Sequence, residues 1–257
     1  MARIFVTGSS DGIGRQTAAD LVRDGHAVVL HARNDRRASD AQDAVPGAAA
    51  VVVGDLSSLG GTRALAEAAR EVGPYDAVIH NAGVGGADER SVTEDGYERI
   101  FQVNVLAPYV LTCLLPVPAR LVYLTSGLQS QGEVHFDDLQ FERRPWDGMQ
   151  AYSDSKLFDV VLAFAMARRY PPTLSNAVDP GWIKTRMGGP GAVDELPDGA
   201  ETPVWLATSD DPAALVTGRY LNRRRELPAN PAAHDVDVQE QLLKVAARLT
   251  GVQLPPG

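Results

Sequence analysis

With 257 residues, 44% of them hydrophobic, the chain is long enough to bury a full core as one α/β domain. A formal net charge of -9 argues against the basic surface that nucleic acid or an anionic membrane would need, and a lone cysteine, Cys113, excludes an intramolecular disulfide and fits a reducing compartment. No basic leader with a long apolar run precedes the first strand and no window reaches membrane-spanning length, so a cytoplasmic protein with neither nucleic acid nor membrane as partner is expected.

The first apolar run, residues 3–7, predicts a strand, and Thr7-Gly8-Ser9-Ser10-Asp11-Gly12-Ile13-Gly14 follows it directly. A helix is expected over 12–24. A glycine-rich turn between a first strand and a first helix is where backbone N–H groups and a helix N-terminus hold a pyrophosphate. The spacing is G-x-x-x-G-x-G and not the commoner G-x-G-x-x-G, so its position after a strand carries the nucleotide reading against that of an ordinary turn. A second strand over 27–31 runs into His31-Ala32-Arg33-Asn34. An acidic residue there would bond ribose hydroxyls; Arg33 instead can fork onto a 2′-phosphate, with Arg15 in reach, so NADP(H) is expected over NAD(H), which stays possible. A solvated loop arginine is the plain alternative.

Strands over 50–54 and 77–80 flank a helix over 60–72, and each ends at a candidate ligand contact. These are Asp55-Leu56 and Asn81-Ala82-Gly83, where capping or turn formation is the rival role. A helix over 95–114 contains Asn104 and Cys113, the latter read as a buried residue without function. A strand over 120–125 ends at Ser126. Residues 128–149 are then long, polar and irregular, and connections of that length are commonly functional. The next helix, 151–169, carries Tyr152 and Lys156 four residues apart and hence on one side. An ammonium beside a phenol favours the phenolate and moves a tyrosine pKa down from about 10, which makes a proton donor for carbonyl reduction. A strand over 174–178 leads to Pro180-Gly181, a last strand lies near 219–222, and the tail over 236–249 reads as a docking helix. Pro- and Gly-rich stretches at 188–197 and 228–231 read as lid and surface loops.

Continuous apolar strands alternating with helices imply a doubly wound, seven-stranded parallel sheet with helices on both faces. The expected organisation is a single Rossmann domain over 1–257 with substrate loops at 127–150 and 182–200. No metal site is expected.

These motifs, in this order, resemble the short-chain dehydrogenase/reductase family across nearly the whole chain. The residues concerned are T-G-x-x-x-G-x-G at Thr7 to Gly14, Asp55-Leu56, N-A-G at Asn81 to Gly83, Asn104, Ser126, Y-x-x-x-K at Tyr152 to Lys156, and P-G-x-x-x-T at Pro180 to Thr185. Arg33 in H-A-R-N, His135-Phe136-Asp137-Asp138-Leu139 and the long interval from Ser126 to Tyr152 are similar to the retinol-dehydrogenase-like and WW-domain-oxidoreductase-like branch. His80 stands where an asparagine is common and is read as tolerated variation. The resemblance implies a catalytic group of Asn104, Ser126, Tyr152 and Lys156. Tyr152 would exchange the proton, Lys156 would assist it and bond the nicotinamide ribose, Ser126 would hold the substrate oxygen, and Asn104 would anchor a water. It implies cofactor contacts from Gly8, Ser10, Asp11, Gly12, Ile13, Gly14, Arg33, Asp55, Leu56, Asn81, Ala82, Gly83, Tyr152, Lys156, Pro180, Gly181, Ile183 and Thr185. It also implies a homodimer or homotetramer, with Phe158, Val161, Leu162 and Ala165 as a candidate helix–helix face or, equally, as core.

Phe141, Trp146, Met149, Trp182 and Met187 suggest an apolar lining for a lipophilic aldehyde, ketone or alcohol, and Gly188-Gly189 a lid hinge. The expected activity is an NADP(H)-dependent carbonyl–alcohol interconversion. A non-catalytic NADP(H) sensor or scaffold is the competing reading, disfavoured by the complete Asn104, Ser126, Tyr152 and Lys156 set. An epimerase or dehydratase of the extended type would need a longer segment after Pro180.

Overall fold

The computed structural model describes residues 1–255, so the final two residues of the expected domain lie outside the described residues. Seven parallel strands form the sheet: β1 (Arg3–Val6), β2 (Ala27–Ala32), β3 (Ala50–Val53), β4 (Ala77–His80), β5 (Arg120–Leu124), β6 (Leu174–Val178) and β7 (Tyr220–Asn222). An eighth, β8 (Arg225–Glu226), corrects the seven-stranded expectation. It folds back antiparallel on β7, through Arg223 and Arg224, both at positive φ. The strand order is β3-β2-β1-β4-β5-β6-β7-β8. The central strands are apolar along their length because helices cover both faces; β4 is buried at every residue.

One face is covered by α1 (Gly12–Arg23), α2 (Asp35–Ala44) and α7 (Leu196–Thr208), whose Leu21, Ala41 and Leu206 join the sheet's Ile4, Val28 and Ile79 in one core. The other carries α3 (Leu59–Val72), α5 (Ala107–Leu114) and α6 (Gly148–Arg169), with Leu65, Leu111 and Val161 against Phe5, Val78 and Leu121. A short α4 (Arg99–Phe101) runs through a π-helical turn, Gln102–Leu106, into α5. Each of α1, α2, α3 and α6 begins where a side chain, from Asp11, Asn34, Ser58 and Asp147 respectively, accepts a free first-turn N–H.

The expected tail helix is α8 (Val236–Thr250), ended by Gly251 at φ 66. It docks on α6, where Arg168 bonds Gln239 at 2.9 Å and Arg168 and Arg169 pair with Glu240. Phe158, Val161, Leu162 and Ala165 are therefore fully covered core residues of α6, which removes them as an exposed helix–helix face. Among the described residues no helix is long and apolar enough to cross a membrane.

Candidate active site

A cleft of about 440 Å³ opens at the carboxyl ends of β1, β4, β5 and β6, where the strand order reverses between β1 and β4. Ligands of doubly wound sheets bind at this place. Its floor is the glycine turn. Gly8 and Gly12 adopt φ of 63° and 53°, and a Cβ on Gly14 would collide with the Asn81 amide nitrogen and the Gly8 carbonyl. Asn81 braces this turn: its Nδ2 donates to the Thr7 and Gly8 carbonyls at 2.8 and 3.2 Å. Its backbone N–H and that of Ala82 reach the Thr7 hydroxyl, each at 3.0 Å. His31, unread in the sequence, is a second brace. Its Nδ1 accepts from Gly8 N–H at 2.9 Å and its Nε2–H donates to the Gly54 carbonyl at 2.8 Å, while burial depresses its pKa.

Gly8, Ser10, Asp11, Gly12, Ile13 and Gly14 all line the cleft, as do Arg33, Asp55, Leu56, Asn81, Ala82 and Gly83. Asp55 accepts from the backbone and hydroxyl of Ser57 at 2.9 and 2.7 Å. Arg15 does not line the cleft; Arg37 does. Arg37 projects from the first turn of α2 and donates to the Ser10 carbonyl and Asp11 Oδ2, each at 3.4 Å. Partial burial lifts the Asp11 carboxyl, but the Gly12 N–H and the Arg37 guanidinium hold it below its ordinary value. The sequence reading missed Arg37 because residues 35–44 gave no helical pattern.

On the opposite wall Tyr152 and Lys156 both line the cleft, with the Lys156 Nζ 5.7 Å from the centre of the Tyr152 ring. That ammonium donates to the Leu124 carbonyl at 2.9 Å and to Asp159 Oδ2 at 2.8 Å. Asn104 lies behind the wall, in the π-helical turn. Its Oδ1 accepts from Val84 N–H at 2.8 Å, and its Nδ2 donates to the Val84 carbonyl at 3.0 Å and the Ser155 hydroxyl at 2.9 Å. A Cβ on Gly83 would lie 3.3 Å from Asn104 Oδ1 and 3.4 Å from Lys156 Nζ, so the two converge beneath Gly83. Ser126 caps a 3-10 turn, accepting from Leu128 N–H at 3.3 Å, and its neighbour Thr125 lines the cleft. Asn104 and Ser126 are thus a step back from the lining.

Pro180 and Thr185 line the cleft; Gly181 (φ 94) and the buried Ile183 shape the turn between them. The two loops are shorter than expected, since α6 begins at Gly148 and α7 at Leu196. Residues 182–195 are stitched together. Ile183 pairs with Asp194, Trp182 Nε1 donates to the Gly188 carbonyl at 2.9 Å, and Gly188 N–H reaches the Thr185 hydroxyl at 3.0 Å. Gly188 is held at both backbone groups and is no free hinge, whereas Gly189 sits at φ 67 in open space. Met187 lines the cleft, and Met149, Trp182 and Val193 are each more than half exposed. Phe141 does not line it: the ring is buried with Ile100, Ala151 and Trp146, beneath the Arg144 guanidinium 3.7 Å away.

Comparison with known proteins agrees with this architecture. The short chain dehydrogenase family model matches residues 2–195. An uncharacterized oxidoreductase of Emericella nidulans, AN7799, is 44% identical over the whole of both chains. Retinol dehydrogenase 14 of Mus musculus is 31% identical over 97% of this chain and 86% of its own. Among solved structures, a blue fluorescent protein from a metagenomic library in complex with NADPH superposes with a TM-score of 0.69 at 27% identity, covering 86% of this chain and 95% of that one.

Proposed function

The chain belongs to the short-chain dehydrogenase/reductase family, oxidoreductases acting on CH–OH or carbonyl groups, and from that premise we propose that it interconverts a lipophilic aldehyde or ketone and its alcohol with NADP(H). The observation that carries this reading is one cleft lined by the glycine turn, by Arg33 and Arg37, and by Tyr152 beside the Lys156 ammonium. The chain's residues fit a phosphorylated dinucleotide. The glycine turn lines the cleft at the start of α1, and two guanidiniums, Arg33 at the end of β2 and Arg37 in the first turn of α2, line it where an acidic residue would favour the other cofactor. The NADPH in the metagenomic neighbour supports the same choice.

When bound, the nicotinamide supplies or accepts the hydride. Tyr152 gives its hydroxyl proton to the carbonyl oxygen and takes it back in the reverse direction. The Lys156 ammonium stabilises the negative charge left on the phenol, and its third N–H would hold the cofactor ribose. Ser126, next to the Thr125 that lines the cleft, would turn its hydroxyl from Leu128 N–H to the substrate oxygen, and Asn104, fixed by Val84 and Ser155, would hold a water on the proton path. Met187, which lines the cleft, and the exposed Trp182 in the same 182–195 loop favour a lipophilic substrate. A reducing cytoplasmic setting suits Cys113, a buried thiol that burial pushes up to about 12.

Purified protein should oxidise NADPH faster than NADH against some of a panel of apolar aldehydes and ketones, followed by absorbance. Tyr152→Phe should lower kcat by about 100-fold or more. Tight NADPH binding with no turnover across the panel would refute the reductase reading.

A further inference from the structure

We propose that Asp159 is a positioning residue of the active site, the counter-ion that keeps Lys156 a cation and holds its Nζ at the cleft wall. The inference rests on the reductase reading for its functional meaning, but its geometry stands alone. Lys156 and Asp159 are 5% and 3% exposed, three residues apart on α6, and joined at 2.8 Å. An ammonium has three N–H donors. The Leu124 carbonyl takes one and Asp159 Oδ2 the second, which leaves one for a ligand in the cleft that Lys156 lines.

A lysine this deeply buried surrenders its charge unless an anion offsets the lost hydration. Tyr152, on the same helix, favours the ammonium as well, after Asp159; the remaining titratable groups around the pair do not supply an anion. Tyr123 on β5 is pushed up by burial, His80 on β4 is pushed down by burial to about 3 and is neutral, and Cys113 on α5 is a thiol. His80 and Tyr123 stack at 4.7 Å and meet the Thr112 hydroxyl at 3.1 and 2.8 Å, a neutral polar cluster. Asp159 supplies the charge. Burial alone works against the Lys156 ammonium; the Asp159 carboxylate first, and the Tyr152 phenol after it, outweigh burial and hold the lysine above its ordinary pKa. Leu162 and Ala163, one turn further along the face of α6 that carries Asp159, are core residues, so that face is one on which apolar side chains pack. A carboxylate there costs more than such a residue and does nothing for packing.

The chain has three lysines, Lys156, Lys184 and Lys244. Selective 13C labelling of lysine in the full-length protein therefore gives a three-signal NMR titration, in which Lys156 is assigned by its loss in Lys156→Met. In the unmodified protein the Lys156 signal should show a step near pH 6 as Asp159 gains its proton, burial having raised that carboxyl to about 6. In Asp159→Asn the loss of the Lys156 ammonium should move down by about one pH unit or more, a tenfold fall in proton affinity. The alkaline limb of kcat/KM should move down with it, and Asp159→Glu should restore both. An unmoved Lys156 titration, or an activity loss equal at every pH, would overturn the proposal. If Asp159→Asn does not fold, the unmodified protein decides alone: a Lys156 signal that shows no step at any acidic pH at which the protein stays folded overturns it. Failure of the reductase reading shows separately, as absent NADPH turnover, and leaves the NMR result intact.

Discussion

A single guanidinium illustrates how position converts an ordinary residue into a selective one. Arg33 is exposed at the end of β2, where it lines the cleft. Arg37 is half-buried and already tied to the Ser10 carbonyl and Asp11, so less side-chain freedom is lost when an anion arrives beside the turn. Arg37→Ala and Arg33→Ala should each weaken NADPH binding by about tenfold, about 1.4 kcal/mol, while leaving NADH within about twofold. Calorimetric titration with both dinucleotides checks this, and an equal loss for the two would end the 2′-phosphate role. Arg33 was legible in the sequence because it directly follows an apolar strand. Arg37 was not, because α2 buries only Ala41 and shows no apolar stripe, so its helix and the aim of its first turn were invisible. The glycine turn was legible for the opposite reason: collisions with Asn81 and Ala82 leave no other residue type at Gly14 and Gly8.

At the scale of elements, the loop before α6 is a fixed wall, pinned by charge. Asp154, one of the two residues between Tyr152 and Ser155, is buried and accepts from Glu133 N–H at 2.8 Å, Gln150 Nε2 at 2.7 Å and Arg144 at 2.8 Å. Asp138 gathers the N–H groups of Glu142, Arg143 and Arg144 between 2.7 and 3.2 Å. With Phe141 held at φ 53, this folds the aromatic residues inward. Composition alone suggested an apolar lining there, because it cannot tell which way a loop turns its rings. Asp154→Ala removes all three of the hydrogen bonds that Asp154 accepts and leaves Arg144 with Asp138, 3.6 Å from its Nε, as its remaining carboxylate, and should cost about 3 kcal/mol in urea unfolding. The same change should raise the substrate KM with little effect on NADPH affinity, since the cofactor wall at α1 is untouched; a matching loss of NADPH affinity would refute that division. The helix α7 escaped sequence reading because Gly199 and Pro203 lie inside it. Gly199 is there for packing: a Cβ would come within 2.8 Å of Ile183 and 3.3 Å of Ile13, so the helix that roofs the lid also presses on the cofactor turn.

Over the whole molecule, the buried histidines and the buried carboxylate contribute to the pH dependence of stability with opposite signs, and one histidine couples that titration to cofactor binding. His80 is neutral when folded, depressed by burial to about 3, and His31 is depressed in the same direction by burial. In the unfolded chain both would titrate near 6.5. Below that pH the unfolded state binds up to two more protons than the folded state, so stability present above 6.5 is lost as pH falls. Asp159 acts in reverse, because its carboxyl is raised from 3.8 to about 6 and the folded state takes up its proton first. Between about pH 6 and 5 the histidines lose stability as pH falls, and Asp159, with Glu98 whose carboxyl burial also raises, offsets part of that loss. His80→Asn should flatten that slope by about 1 kcal/mol per unit, and Asp159→Asn should steepen it by about as much; urea unfolding at pH 6.0, 5.5 and 5.0 measures each. Slopes unchanged by either substitution would refute the assignment. His31 ties the same titration to function, since a proton on its Nδ1 removes the acceptor for Gly8 N–H. Acid should therefore loosen the glycine turn, and with it NADPH, before the sheet itself gives way.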